Sequence, residues 1–234
     1  MCSSDLAMPA ADAAPDNLGA DFWLTFPGNY DGGAQQTLFI TGPTATTGTV
    51  DMPGTGFSQP FTVTPGAVTS VPLPAGSDLT GVNDSVVTGK SLHVSAADEV
   101  VVYGLNREQY TTDAYLGLPT DIQSTDYYVL GWQNSAMGSE FAVVGTADNT
   151  TVTITPGAKS TAPRAAGVPY TITLQQGETY QLLDTSGGTN DLTGTHVVSD
   201  KPVSVFGGNA CANIPDNQTY ACDHVVEQMR SEEH

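Results

Sequence analysis

Basic residues are scarce in this chain. Its 234 residues include six Lys and Arg against 25 Asp and Glu, for a formal net charge of -19. Such a surface repels phosphate backbones and anionic lipid headgroups, which argues against nucleic acid and anionic membranes as partners. Charged residues of both signs together make up only 13%. No apolar run reaches the length of a membrane span, so no membrane insertion is expected of this segment. Capped stretches with a 3.6-residue period are also missing, which argues against helices. There is no phosphate loop and no dinucleotide-binding fingerprint. "GTGFS" (Gly54–Ser58) lacks the frame and the strand-to-helix context of a nucleophile elbow.

Material for a core is present. Hydrophobic residues make up 39%, with nine Tyr and seven Phe, which excludes wholesale disorder. Runs rich in Val, Ile, Phe, Tyr and Thr end in Gly, Pro, Asp or Asn. They include Gln36–Gly42, Gln59–Gly66, Ser91–Gly104, Glu140–Gly157, Val168–Asp184 and Thr195–Asn209. "ADNTT" and "QQGET" read as hairpin turns between alternating strands. The expected fold class is all-β.

The two ends look foreign. "MCSSDL" and "RSEEH" match the translation of one sequencing adapter and of its reverse complement. On that reading residues 230–234 are an adapter-derived tail, and 1–18 are an adapter-derived start followed by an Ala/Pro/Asp-rich linker. Cys2 then drops out of the account, and the chain is a fragment of a longer reading frame from environmental DNA.

Between the ends the sequence repeats. "HVSAADEVVVYGLN" (His93–Asn106) aligns without gaps on "HVVSDKPVSVFGGN" (His196–Asn209). "DFWLTFPGN" (Asp21–Asn29) aligns on "DYYVLGWQN" (Asp126–Asn134), and "DLTG" occurs at Asp78 and again at Asp191. "YTTDAYL" (Tyr110–Leu116) answers "YACDHVV" (Tyr220–Val226). These matches predict two tandem β-sandwich-like repeats of about 105 residues, over 19–119 and 120–229, the second truncated at its C-terminus. A second repeat that needs a strand from beyond Met229 would carry an open sheet edge.

Repetition separates structural residues from candidate chemistry. His93 and His196 hold the same place in both units and read as structural. His224 and the cysteines lack the spacing of a zinc site. A nucleophilic thiolate needs an electropositive setting, and Asp216, Asp223 and Glu227 supply the opposite. Cys211 and Cys222, flanking a polar loop with Pro and Asn, read as a disulfide and so as a mark of an oxidising compartment. Asp78, Asp191, Asp113 and Asp223 fall in repeated motifs and read as Asx-type turns. No cofactor is expected, although Ca2+ at loop ends is compatible with so many carboxylates. Asn83, Asn149 and Asn217 open glycosylation sequons in form.

"GADFWLTFPGN", "DEVVVYGLN", "DAYLGLP", "DNTTVTITP", "GETYQLL", "DLTGT", "SDKPVSVFGGNACANIP" and "CDHVVEQM", in that order, resemble the IgGFc-binding protein N-terminal domain family, here a bacterial-type member. The resemblance runs from Gly19 to Met229. It implies a secreted or surface-attached β-rich binding protein, a module of a longer chain, with no catalytic residues to carry over. The family's cysteines coincide with Cys211 and Cys222, which supports the disulfide separately.

The resulting expectation is an extracellular or cell-surface, non-enzymatic binding or adhesion module with a protein or glycan ligand. Its candidate contacts are Tyr110, Tyr115 and Tyr220, in "REQYTTDAYLG" (Arg107–Gly117) and the Cys211–Cys222 loop. The alternative is a carbohydrate-binding module of a secreted hydrolase, with these rings stacking on sugars. An enzyme would need a non-repeated acid pair in a cleft. A structural spacer in a long adhesin is the third reading.

Overall fold

A computed structural model describes residues 17–133, 137–157, 163–184, 190–216 and 218–231. The adapter-like start, most of the linker, Asn217 of the third sequon and the last three residues lie outside the described residues. The chain is all-β, with one 3-10 turn among the described residues, at Thr120–Ile122. The first half forms β1 (Gly19–Thr25), β2 (Gln35–Thr41), β3 (Thr46–Met52), β4 (Phe57–Val63), β5 (Thr69–Pro72), β6 (Ser85–Val87), β7 (Ser91–Glu108) and β8 (Thr111–Leu116). The second forms β9 (Ser124–Tyr128), β10 (Ser139–Gly145), β11 (Thr150–Thr155), β12 (Tyr170–Leu174), β13 (Thr179–Leu183), β14 (His196–Ala212) and β15 (Asp223–Gln228).

The same topology is drawn twice. The first sheet runs β4-β3-β7-β2-β5, with β1 and β8 also on β7. The second runs β12-β11-β14-β10-β13, with β9 and β15 on β14. In each, one long strand serves both layers. Residues Ser91–Ala96 of β7 pair with β1 and β3, and Val101–Glu108 pair with β2 and β8. β14 turns the same corner between Ser199 and Val203. A strand that changes layer is how a sandwich closes its corner. The sheets form two β-sandwich-like units, each nearly closed on itself.

The units are not self-contained. β6 lies in the first unit's span but pairs with β13 of the second, Val86 opposite Tyr180. One apolar cluster holds Phe22, Leu24, Leu38, Val94 and Tyr115 together with Ala142, Val144, Phe206 and Val226 of the second unit. Another, around Phe141, Val143, Leu182 and Val205, belongs to the second unit alone. Burial of this apolar surface drives folding and joins the two halves.

The repeated residues do repeated work. His93 Nε2 meets Asp21 Oδ1 at 2.6 Å and its ring stacks on Trp23 at 4.3 Å. His196 meets Asp126 at 2.7 Å and stacks on Tyr128 at 4.5 Å. Asn106 Nδ2 donates to Pro27 O, and Asn209 Nδ2 to the matching Trp132 O. Asp78 and Asp191 each accept the backbone N–H two residues on, as an Asx turn requires.

The equivalence of Asp113 with Asp223 is corrected. Asn106 pairs with Asp113, but Asn209 pairs with Val225, a slip of two residues. Beyond Asn209 the ladder carries one further irregularity, with one extra residue of β14 before Ala212 meets Asp223. Asp113 makes no Asx turn; its carboxylate accepts the N–H of Ala114 and that of Val226.

Candidate binding tip

Strands β8 and β15 run side by side in the same direction. His224 N donates to Thr111 Oγ1 at 2.8 Å, Val226 N to Asp113 Oδ2 at 2.9 Å, and Leu118 N to Gln228 Oε1 at 2.7 Å. The β7–β8 hairpin and the Cys211–Cys222 loop therefore emerge at one end. Tyr110 and Tyr220 stand there 86% and 88% exposed. Tyr110 closes its two-residue turn at φ 72°, and Cys222 ends its loop at φ 60°. Left-handed backbone is costly for residues with a Cβ and gathers at binding and active sites.

The loop is stapled by the Cys211–Cys222 disulfide, with Cα atoms 4.3 Å apart. Asn213 Oδ1 accepts the N–H groups of Ala221 and Cys222, and Asn213 O accepts from Trp132 Nε1. Joined to each other, the sulfurs serve neither as zinc ligands nor as a nucleophile. A third exposed aromatic, missed in the sequence, belongs to the segment next to the β7–β8 hairpin. Asn29 Nδ2 donates to Thr111 O at 3.0 Å, which places the 49% exposed Tyr30 next to the hairpin. Its signal was an aromatic in the turn-rich stretch "GNYDGG".

Tyr115 is not part of this surface. It is 1% exposed, its hydroxyl donates to Thr25 O at 2.8 Å, and its ring packs on Phe26 and Phe206. Its assignment as a ligand contact is corrected to the core.

Beneath the tip lies a buried polar junction between the units. Gln36 Nε2 donates to Asp78 Oδ2 and Asn106 Oδ1. Asn106 Nδ2 lies 3.4 Å from His224 Nε2, and Gln181 Nε2 donates to Leu79 O and Val82 O. Glu140 is fully buried beside Asp78, and neither of its carboxyl oxygens has a partner. The nearby Gly28 N–H is committed to Gln181 Oε1 at 3.0 Å. Burial, then the charge of Asp78, push the Glu140 carboxyl well above its ordinary value. Glu140 and Asp78, of which Asp78 has a repeat counterpart in Asp191, are sealed in rather than set in a cleft. Among the described residues no three His, Cys, Asp or Glu side chains gather as a metal set.

The junction sets a pH dependence of stability. A raised carboxyl pKa means the native state keeps a proton that the unfolded chain loses above about 4.5, so this contribution declines as pH rises. His224 acts oppositely. Burial lowers its pKa from 6.5 to about 4, so its contribution is lost as pH falls through that window. Glu140→Met should stabilise the protein at pH 7 by about 1–3 kcal/mol, since it removes an unpaired buried polar group. Urea unfolding at several pH values should show the gain growing as pH rises. A loss at neutral pH would mean that Glu140 has a partner.

Residues 113–234, more than half of the chain, match the profile of a family described as IgGFc binding protein. The chain belongs to the IgGFc-binding protein family. The human IgGFc-binding protein is 29% identical over 177 residues, covering 74% of this chain. That stretch is longer than the family match and so reaches into the first unit. The chain spans about 3% of the length of this human relative. No solved structure matches the chain.

Within the IgGFc-binding match fall Glu140, Cys211, Tyr220, Cys222 and His224. Tyr30, Asp78 and Tyr110 lie outside it, in the first unit. The tip is thus built half from the family-matched segment and half from the unit packed against it.

Proposed function

We propose that this chain is a non-catalytic binding module of a larger secreted or cell-surface protein, taking a protein ligand at the paired tip. The observation that carries the reading is the convergence of Tyr110 and Tyr220, almost fully exposed, on two loops held together through His224 and Thr111. Tyrosine supplies large contact area at low entropic cost and is enriched at recognition surfaces. The family supports a protein as ligand, and the disulfide supports an extracellular setting. No cofactor is invoked. The proposal extends to an adhesion role for the parent protein, in which the exposed tip would make the contact.

Exposed tyrosine rings also stack on sugars, so a carbohydrate-binding module is the second reading. An array of extracellular proteins, immunoglobulin Fc included, and a glycan array would test both. The double variant Tyr110→Ala/Tyr220→Ala should lose about tenfold or more in affinity for any true hit. Its unfolding free energy should stay within about 0.5 kcal/mol of the parent, because both rings are exposed. Hits on glycans alone would favour the second reading, and hits insensitive to the double variant would move the site off the tip.

A further inference from the structure

We propose that a second copy of this chain covers the outer face of β2, β7 and β8, so that two copies pair about a two-fold axis. The contact uses neither Tyr110 nor Tyr220. Side chains along a strand alternate between its faces. Leu38, Ile40, Val102 and Tyr115 are buried inward, so Phe39, Tyr103 and Leu116 point outward, and strand pairing sets these three in one row. Val101 and Leu105 flank Tyr103 on the same face, and Thr37, Thr41 and Ala114 complete it without a charge. Tyr103 is 45% exposed at its centre. An uncharged apolar face stands out on a chain of net charge -19.

In the second unit the same face is already covered. Its matching row is Ala142, Phe206 and Gln228, all buried under the first unit. Phe206 meets the Tyr115 ring at 5.2 Å, Ser204 Oγ donates to Trp23 O at 2.6 Å, and Gln228 Oε1 accepts the Leu118 N–H. A sandwich unit of this repeat is therefore the body that fits such a face, through β1 and the end of β8. The covering surface is repeated too, and in the second unit it is open. Trp23 and Tyr128 hold the same place, opposite His93 and His196, but Trp23 is buried and Tyr128 half exposed. Two residues on, Leu130 is 63% exposed and lines a groove of about 250 Å³ with Met229, Leu118 and Leu116. Leu116 belongs to both the groove and the outer face, so the two adjoin. A surface that carries both halves of one contact is self-complementary, and a two-fold axis lays the face of each copy on the groove of the other. Apolar burial drives the pairing, and the like charge of the copies opposes it.

Sedimentation velocity of the full chain from about 1 μM to 1 mM should show a reversible monomer–dimer equilibrium. Raising the salt from about 0.05 to 0.5 M should tighten the dimer, since screening removes the repulsion and leaves the apolar contact. Tyr103→Lys should raise the dimer dissociation constant about tenfold or more, although it lowers the net negative charge of each copy. Leu130→Lys should do the same from the groove side. Val168→Lys makes the same charge change at a similarly exposed position, just before the edge strand β12 of the second sheet, and should leave the dimer unweakened. All three side chains are exposed, so far-UV circular dichroism should match the parent in each variant. A monomer at every concentration, a dimer that weakens as salt rises, or equal effects of the three Lys variants would overturn the pairing.

Discussion

Tyr115→Ala should destabilise the protein by about 3–5 kcal/mol, the range for truncating a buried large aromatic. The ring is 1% exposed and lies across the bare backbone of Gly104, where a Cβ would stand 2.5 Å from the tyrosine Cζ. On its other sides it meets Phe26 at 5.4 Å and the edge of Phe206 at 5.2 Å. Phe206 belongs to β14, so this one side chain closes the first unit's layers and presses them on the second. No small residue refills that volume, because the glycine beneath has nothing to extend. The hydroxyl adds a bond to Thr25 O, and burial alone holds its pKa far above the ordinary value. Tyr115→Phe should therefore cost about 0.5–1.5 kcal/mol. Urea unfolding of the two variants beside Tyr110→Ala separates the cases. If Tyr115→Ala were as mild as Tyr110→Ala, Tyr115 would return to the surface as a ligand contact.

That contrast shows what the sequence carried and what it did not. Alternating apolar residues exposed most of the strands, and the gapless match of His93–Asn106 with His196–Asn209 exposed the duplication. In the structure those matches become the same Asp–His–aromatic cluster built twice. The two tyrosines of "YTTDAYL" were legible too, had the period of two been applied. Five residues apart, they face opposite ways, and Tyr115 shares its face with the buried Thr111.

Other features had no local signal. β6 is three residues long, and its pairing with β13 depends on where the second unit folds, not on its own pattern. Asp84, at φ 47°, fixes the turn before it by accepting from Arg164 Nε and the Tyr180 hydroxyl, partners 80 and 96 residues away. Glu140 begins "EFAVVG" and reads as a polar strand end. Only the first unit, folded over it, turns it into an unpaired acid. The match of Asp113 to Asp223 failed because similarity along the chain does not register which residues pair across two strands. The slip matters to the site, since it brings His224 opposite Thr111 and so sets the tips side by side.

Cys211→Ala/Cys222→Ala should lower stability by about 3 kcal/mol, the loop-entropy value for a cross-link closing a loop of roughly this length, here a sequence separation of 11. For a chain of this size that is a fall in Tm of about 6–12 °C. The loss should leave the fold intact, because the loop base is also held by Asn213, Trp132 and the β14–β15 ladder. Within the loop Asp216 accepts the N–H of Gln218 and its carbonyl that of Thr219, but nothing buries Tyr220. Without the disulfide, Tyr220 would explore many positions relative to Tyr110, and each would have to be frozen on binding. The double variant should thus weaken ligand binding at the tip even under conditions where it is fully folded, and dithiothreitol should do the same to the parent protein. Thermal unfolding with and without reductant measures the first effect, and binding well below the lowered Tm measures the second. Stability lost with binding unchanged would make the disulfide a plain fold staple and place recognition on the β7–β8 hairpin alone.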